Sequence, residues 1–367
     1  MRVLVTGANG FIGKNLLVHL HECGIEVVQF TRDMDIGDLP AALNEVDFIF
    51  HLAGVNRPKD TAEFVEGNTG LTERLCKLIR ASGRPIPVLY TSSIQAEADN
   101  PYGVSKLAAE EALVALEKGT RSPVHLYRLP NVFGKWSRPN YNSAVATFCH
   151  NIANDLPIQI NDPSTRLRLV YVDDVVSEFL RALRSMSDGV RRGEVTPEYS
   201  ITLGELAAQI EAFKNCRGNL LSERVGTGLV RALYATYVSY LPPSKFAYDL
   251  PHFGDERGVF VEMLKTPDSG QFSYFTAHPG VTRGGHYHHS KTEKFLVIKG
   301  HARFGFRHIV TNETHEILTS GDVPQVVETA PGWAHDITNV GEEEMIVMLW
   351  ANEIFNHDHT DTIRSKV

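Results

Sequence analysis

Val3-Leu4-Val5-Thr6-Gly7-Ala8-Asn9-Gly10-Phe11-Ile12-Gly13 is the stretch on which the fold turns. A β-branched run enters a turn with glycines at 7, 10 and 13, and a helical pattern over residues 14–22 leaves it. The pattern predicts a strand, a tight turn and a helix. Glycines there let a ligand approach the backbone closely, and the free N–H groups of the helix N-terminus would face a pyrophosphate. A plain strand–helix turn with no ligand is the competing reading.

Beyond it, residues 27–31, 47–50 and 88–91 read as strands, with a helix over 72–81 before the last of them. This alternation predicts a Rossmann-type α/β domain, a parallel sheet covered by helices. From about Gly258 the pattern changes to short alternating runs at 259–261, 272–275, 295–298, 302–306 and 344–349. These predict an antiparallel, all-β sandwich or barrel. Tyr240-Leu241-Pro242-Pro243-Ser244 punctuates the two regimes, so domains are expected at 1–245 and 246–367. A chain of 367 residues suits two domains.

Composition narrows the function classes. With 43% hydrophobic and 22% charged residues the chain is ordinary globular material, not a disordered or fibrous one. No apolar run is long enough for a membrane span. The net charge of −8 and the lack of a basic run argue against nucleic-acid and membrane-surface partners. Four widely spaced cysteines without a CxxC pair fit a reducing, cytoplasmic setting. Of 16 histidines, 11 fall at or after His252, so the two ends are expected to do different chemistry.

The spacing GxxGxxG at Gly7, Gly10 and Gly13 resembles the extended short-chain dehydrogenase/reductases. The resemblance continues in Asp35-Ile36, in His51-Leu52-Ala53-Gly54 and in Asn100-Pro101-Tyr102-Gly103-Val104-Ser105-Lys106, which carries a YxxxK pair. It implies cofactor binding by Gly7, Gly10, Phe11, Ile12 and Gly13, and by Asp35, Ile36, Leu52, Ala53 and Gly54. Tyr102 and Lys106 would also touch the cofactor, and Ser93, Tyr102 and Lys106 would be catalytic, with Ser92 as the alternative serine. Residues four apart share a helix face, so Lys106 is expected beside Tyr102. Its ammonium and the oxidised nicotinamide would draw the phenol's pKa down towards the working range.

The family's 4,6-dehydratases carry Asp-Glu after the catalytic hydroxyl, where this chain has Ile94-Gln95. Ketone reduction or alcohol oxidation is therefore expected rather than elimination. Arg32, at the end of the second strand, can pair with a 2′-phosphate, which favours NADP. In the alternative, Arg32 is a solvated charge and Asp33 or Asp35 takes the ribose. Arg128 to Gly134 resembles the segment where cofactor and substrate sites meet, and Tyr171 to Val175 a landmark near the nucleotide-sugar pocket. Arg166 and Arg168 flank Leu167, where the family's arginine would stand, and which of them meets a diphosphate stays open.

Gly280, His286, His288, Glu293 and Gly300, followed by Gly332, His335 and Asn339, resemble the two motifs of the cupin superfamily. His286 and His288 on one strand would face one way. Glu293 is expected further along the same hairpin and His335 on a distant strand. Three imidazoles and a carboxylate suit zinc or another divalent transition metal. The competing reading is a cupin that has lost its metal. His289, His301, His308 and His315 are expected at surface strand positions.

Asp255 to Glu262, with Arg283-Gly284-Gly285-His286, resembles the nucleotide-sugar 3,5-epimerases of the cupin class. There His286 would be the base. If it is a metal ligand, the base is another group.

Taken whole, with His51 to Pro58, Gly134 to Trp136 and Pro139 to Ser143, the chain resembles bacterial capsular polysaccharide enzymes that fuse the two domains. That implies a UDP-linked 4-keto-6-deoxy-N-acetyl sugar, a UDP-2-acetamido-2,6-dideoxy-hexos-4-ulose. It would be inverted at C3 by the cupin and reduced at C4 with NADPH, towards UDP-N-acetyl-L-fucosamine. It also implies a homodimer. Two other readings compete: a reductase whose cupin only stabilises or dimerises, and an NADP-sensing protein without turnover. Ser93, Tyr102 and Lys106 together speak against the second.

Overall fold

Along β1 (Arg2–Thr6) the side chains alternate between two buried faces, Val3 and Val5 on one and Leu4 on the other. The computed structural model, which describes every residue except Met186, His357 and His359, extends that pattern across a sheet. The following strands are β2 (Glu26–Phe30), β3 (Phe48–His51), β4 (Val88–Ser93), β5 (Val124–Leu129), β6 (Asn131–Phe133), β7 (Arg166–Tyr171), β8 (Val190–Gly193) and β9 (Glu198–Thr202). Six of them form a parallel sheet in the order β2-β1-β3-β4-β5-β8.

Ile49, Val88 and Tyr90 share Leu4's face, under the helices Leu71–Ser82 and Pro101–Thr120. Phe48, Phe50 and Leu89 share the other, under the helices Phe11–Glu22 and Val172–Arg184. A parallel sheet buried on both faces explains why its strands read as continuous apolar runs. Strand order reverses between β1 and β3, and in such sheets ligands bind beyond the carboxyl ends of the strands at that reversal. β6, β7 and β9 form a separate small sheet.

By its contacts the chain divides into two units: Met1–Ile210 with Arg231–Pro242, and Glu211–Val230 with Pro243–Val367. The second therefore takes in a segment from earlier in the chain. Leu221 bridges to Lys265, with the Ser222 N–H donating to Lys265 O at 2.8 Å.

The strands of the second unit are β10 (His252–Asp255), β11 (Gly258–Thr266), β12 (Gly270–Ala277), β13 (Thr282–Tyr287), β14 (Glu293–Lys299), β15 (His301–His308), β16 (Thr314–Ser320), β17 (Val326–Glu328), β18 (Trp333–Asn339), β19 (Met345–Ala351) and β20 (Ile363–Arg364). They form two antiparallel sheets, β10-β11-β12-β19-β14-β17 and β16-β15-β18-β13-β20, as expected of an all-β cupin domain. Between the sheets lie alternate residues of facing strands, among them Phe275, Phe295, Val297, Phe304, Phe306 and Val347. The burial of each such side chain favours folding by roughly 1.5–3 kcal/mol.

Two sequence expectations fail here. β13 and β14 are not a hairpin: they lie in different sheets, and the chain between them crosses from one to the other. His289 is not on a strand. It lies exposed in the bend that begins this crossing. His301, His308 and His315 do lie on β15 and β16.

Candidate active sites

In the first unit, Gly7 takes φ +69° directly after β1, and a Cβ on it would lie 2.7 Å from Ala53 N. A Cβ on Gly13 would lie 2.3 Å from Gly7 O. The turn therefore presses against both the end of β3 and its own helix, and only glycine permits this. Gly10 caps the helix Phe11–Glu22 with no side chain, so no capping group covers its leading N–H groups.

A cavity of about 530 Å³ opens beyond the carboxyl ends of β1, β2 and β3. Of the expected cofactor residues, Gly7, Arg32, Asp35, Ile36, Ala53 and Gly54 line it. Gly10, Phe11, Ile12, Gly13, Leu52, Tyr102 and Lys106 are not among its lining residues, and Ile12 and Leu52 pack on the core instead. Arg74 lines it beside Arg32, although no sequence signal marked it. Asp35 accepts the Gly37 N–H at 2.8 Å, which caps a short 3₁₀ turn.

Asn100 Oδ1 accepts the Gly103 N–H at 2.9 Å, and Pro101 begins the helix Pro101–Thr120. A Cβ on Gly103 would lie 2.2 Å from Gln95 O, so glycine lets the helix start press on the turn after β4. This places Tyr102 beside Ser93, whose hydroxyl acts to lower the phenol's pKa while accepting the Gln95 N–H at 3.2 Å. Ser92 is engaged elsewhere: buried, it donates to Glu110, which Arg128 holds at 2.8 and 2.7 Å. Of the two serines, Ser93 is the one beside Tyr102.

Lys106 does share Tyr102's helix, but its ammonium donates to Thr91 O at 2.8 Å and Tyr90 Oη at 3.1 Å. Burial lowers its pKa to about 8. The Tyr102 phenol is raised, because burial outweighs the opposing effect of Ser93. The expected downward shift of the phenol is therefore not present in the protein alone.

Two supports escaped the sequence reading. Asn68, in the π-helical turn Val65–Gly70, accepts the Val55 N–H at 2.8 Å and donates to Ser105 Oγ at 2.9 Å. Nothing in its neighbours signals this. Glu110 was legible in principle, since Tyr102, Lys106 and Glu110 recur every four residues. His51 is fully buried between Thr6 Oγ1 at 2.7 Å and Thr72 Oγ1 at 2.9 Å. Burial, with the Lys106 charge, lowers its pKa to about 3, so it stays neutral. Arg168 forms a bidentate pair with Glu198 at 2.6 and 2.9 Å, while Arg166 reaches Ser200 Oγ at 3.4 Å.

In the second unit a bulge between Gly284 and His286 puts His286 opposite His335 on β18. Gly284 and Gly285, at φ +93° and +76°, supply the backbone for it. The rings of His286 and His335 lie 4.7 Å apart, and those of His286 and His288 5.0 Å apart. Glu293, first residue of β14, meets them from the opposite sheet: its Oε2 is 3.4 Å from His288 Nε2 and 3.3 Å from His335 Nε2. One ligand atom from each of the four residues lies within 4.8 Å of every other.

The four fit a metal ion in two respects. The donor set is three imidazoles and a carboxylate. Further, His335 Nε2 is buried, faces the cluster and makes no hydrogen bond. Burial lowers His286 to about 4, which keeps its imidazole neutral. Burial alone would raise the Glu293 carboxyl, but contacts with His288, His335 and Lys291 hold it far below the usual carboxylate range. Among the described residues no helix is long and apolar enough to cross a membrane.

The profile of the NAD dependent epimerase/dehydratase family matches residues 3–196, and that of the polysaccharide biosynthesis C-terminal domain matches 253–363. A protein of Pseudomonas aeruginosa, UDP-2-acetamido-2,6-beta-L-arabino-hexul-4-ose reductase, is 61% identical, across 100% of this chain and 99% of its own. The crystal structure of the capsular polysaccharide assembling protein CapF from Staphylococcus aureus is similar with a TM-score of 0.92 at 40% identity, over 100% of both chains. UDP-glucuronic acid 4-epimerase from Bacillus cereus, solved with NAD, shares the fold of part of the chain: TM-score 0.56, 20% identity, 65% of this chain and 98% of its own. A dinucleotide-type turn, a Ser93–Tyr102 pair and a matching profile over more than half of its length agree that this chain belongs to the NAD-dependent epimerase/dehydratase family.

Proposed function

We propose that the chain is a bifunctional nucleotide-sugar enzyme that inverts C3 of a UDP-2-acetamido-2,6-dideoxy-4-keto-hexose and reduces its C4 ketone with NADPH, on the route to UDP-N-acetyl-L-fucosamine. One observation carries this: a single chain holds both a Ser–Tyr pair in a dinucleotide-binding fold and a buried three-histidine, one-carboxylate cluster in an all-β domain. The name of the Pseudomonas relative supports the substrate. Residues 1–245 would carry reduction and 246–367 epimerisation.

For reduction, the nicotinamide supplies hydride when bound. Tyr102 supplies the proton: its raised pKa keeps the phenol protonated at neutral pH, as a general acid to a ketone oxygen requires. Ser93 orients the phenol. Lys106, its ammonium next to Gly54, places positive charge at the strand end where the ribose would lie. Arg32 and Arg74, in the same cavity, favour the 2′-phosphate of NADP.

For epimerisation, a proton must leave the carbon beside the ketone. A divalent metal such as zinc, held by His286, His288, Glu293 and His335, would supply Lewis acidity there. His286 would then be a ligand, and the base another group. The four cysteines are free thiols, which supports a cytoplasmic setting. A homodimer completes this reading, and light scattering checks it.

Incubation of the substrate and NADPH in deuterated water tests the whole. The expected product carries deuterium at C3 and the transferred hydride at C4. A reduced product without deuterium at C3 would leave a reductase with a structural cupin.

A further inference from the structure

Between β13 and β14 the chain crosses from one sheet to the other, carrying His288 at its start and leading into Glu293. A free crossing of this kind would scatter two of the four cluster residues. Asn352 Oδ1 accepts the Thr292 N–H at 3.0 Å at its far end, and the three residues before that are held by one residue from far along the chain. Asp361 Oδ1 accepts the His289 N–H at 2.9 Å, and Oδ2 accepts those of Ser290 and Lys291 at 2.8 and 2.9 Å and the Ser290 hydroxyl at 3.0 Å.

The Asp361 carbonyl oxygen accepts from His288 Nδ1. That fixes the His288 tautomer and turns Nε2 towards Glu293. Lys291, with its backbone held by Asp361, is buried and pairs its ammonium with Glu293 Oε1 at 2.9 Å. Glu293 is thereby left with Oε2 facing the histidines.

The segment that supplies Asp361 is itself tied down. β20 pairs with β13 at His286 and Tyr287, the Ser365 N–H donates to Gly285 O at 2.9 Å, and Arg307 donates to Ser365 Oγ and Lys366 O at 2.7 Å each. The geometry points to the Asp361 carboxylate as the positioning group of the histidine–glutamate cluster: it anchors His289, Ser290 and Lys291, and so places His288 before them and, through the Lys291 ion pair, Glu293 after them. It touches no substrate. Groups that orient the ligands of a metal are worth about 10–100-fold in affinity when removed.

This rests on the reading that the four residues hold a divalent metal, and the test separates the two. Full-length wild type, D361A, D361N and the ligand variant H288A are stripped of metal. Zinc affinity is then measured by competition with a chromophoric chelator, and the visible spectrum recorded with cobalt(II). Wild type and H288A decide the metal reading: no saturable zinc site in wild type would end it and this inference with it. Given a wild-type site, D361A, which removes the carboxylate and keeps the carbonyl bond to His288, is expected to weaken zinc by about 10–100-fold and to alter the cobalt spectrum, with D361N intermediate.

If D361A lowers the melting temperature but holds zinc within about twofold of wild type, Asp361 only stabilises the fold and the inference fails. Should D361A not fold by circular dichroism, D361N decides. Unchanged zinc affinity in D361N then overturns the proposal, and a weaker site sustains it.

Discussion

The two sites are built in opposite ways. The candidate cofactor site is assembled from short motifs at the ends of neighbouring parallel strands with residues of the helices beyond them, and its tightest turn is backbone. Gly7, Ala53 and Gly54 contribute main chain and a lack of side chain. The histidine site takes four side chains from two sheets and is held in shape by a fifth residue, Asp361. Backbone sites tolerate sequence change outside their glycines, whereas a side-chain site depends on each member and on what orients it.

Disabling one site and assaying the other shows whether the two act independently. Tyr102→Phe removes the general acid and is expected to slow C4 reduction by about 10²–10⁴-fold. Solvent exchange at C3, followed by mass spectrometry, should continue. Loss of both activities would mean that the sites are not chemically separate. His335→Ala is the mirror experiment. Metal affinity should fall by more than the roughly 10–100-fold expected for a supporting contact, and exchange should fall with it. Consumption of NADPH with an already inverted substrate should be retained.

Acid sensitivity sharpens the contrast further. Folded His51 stays neutral down to about pH 3, whereas an unfolded imidazole takes up a proton below about 6.5. The unfolded chain therefore binds more protons across that window, and stability falls as pH falls through it. His51→Gln should reduce this dependence by up to about 1.4 kcal/mol per pH unit. Urea unfolding of the variant and wild type at about pH 7 and about pH 5 measures it. The smallest effect is expected at the cavity rim. Arg32 is exposed, so Arg32→Ala should weaken NADPH by roughly tenfold and leave NADH nearly unchanged, as titrations of nucleotide fluorescence would report.

Much of this was legible beforehand. The apolar runs at 3–5, 47–50 and 88–91 became β1, β3 and β4 within a residue or two. GxxGxxG, HLAG and YxxxK all reached the same end of one sheet, because each motif sits at a strand end or at a helix start. The four cluster residues were legible too, since their spacing follows the alternation of strands. What misled was the step from spacing to partnership. Residues 286 and 293 are near in sequence and suggested a hairpin, yet β13 and β14 pair with different neighbours. Tyr102 and Lys106 share a helix face, but Lys106 bonds to Thr91 and Tyr90 because those acceptors are buried beside it.

Periodicity, glycine spacing and residue chemistry are local properties, and the chain carries them before it folds. They suffice for the parallel sheet, the all-β domain and the identity of the groups that do chemistry. The protonation of Tyr102 and Lys106, the placing of Ser93 rather than Ser92 beside Tyr102, and the hold of Asp361 on His288 depend on burial and on contacts between residues up to 73 positions apart. Only packing brings such groups within hydrogen-bonding distance, and only exclusion of water gives those contacts their strength.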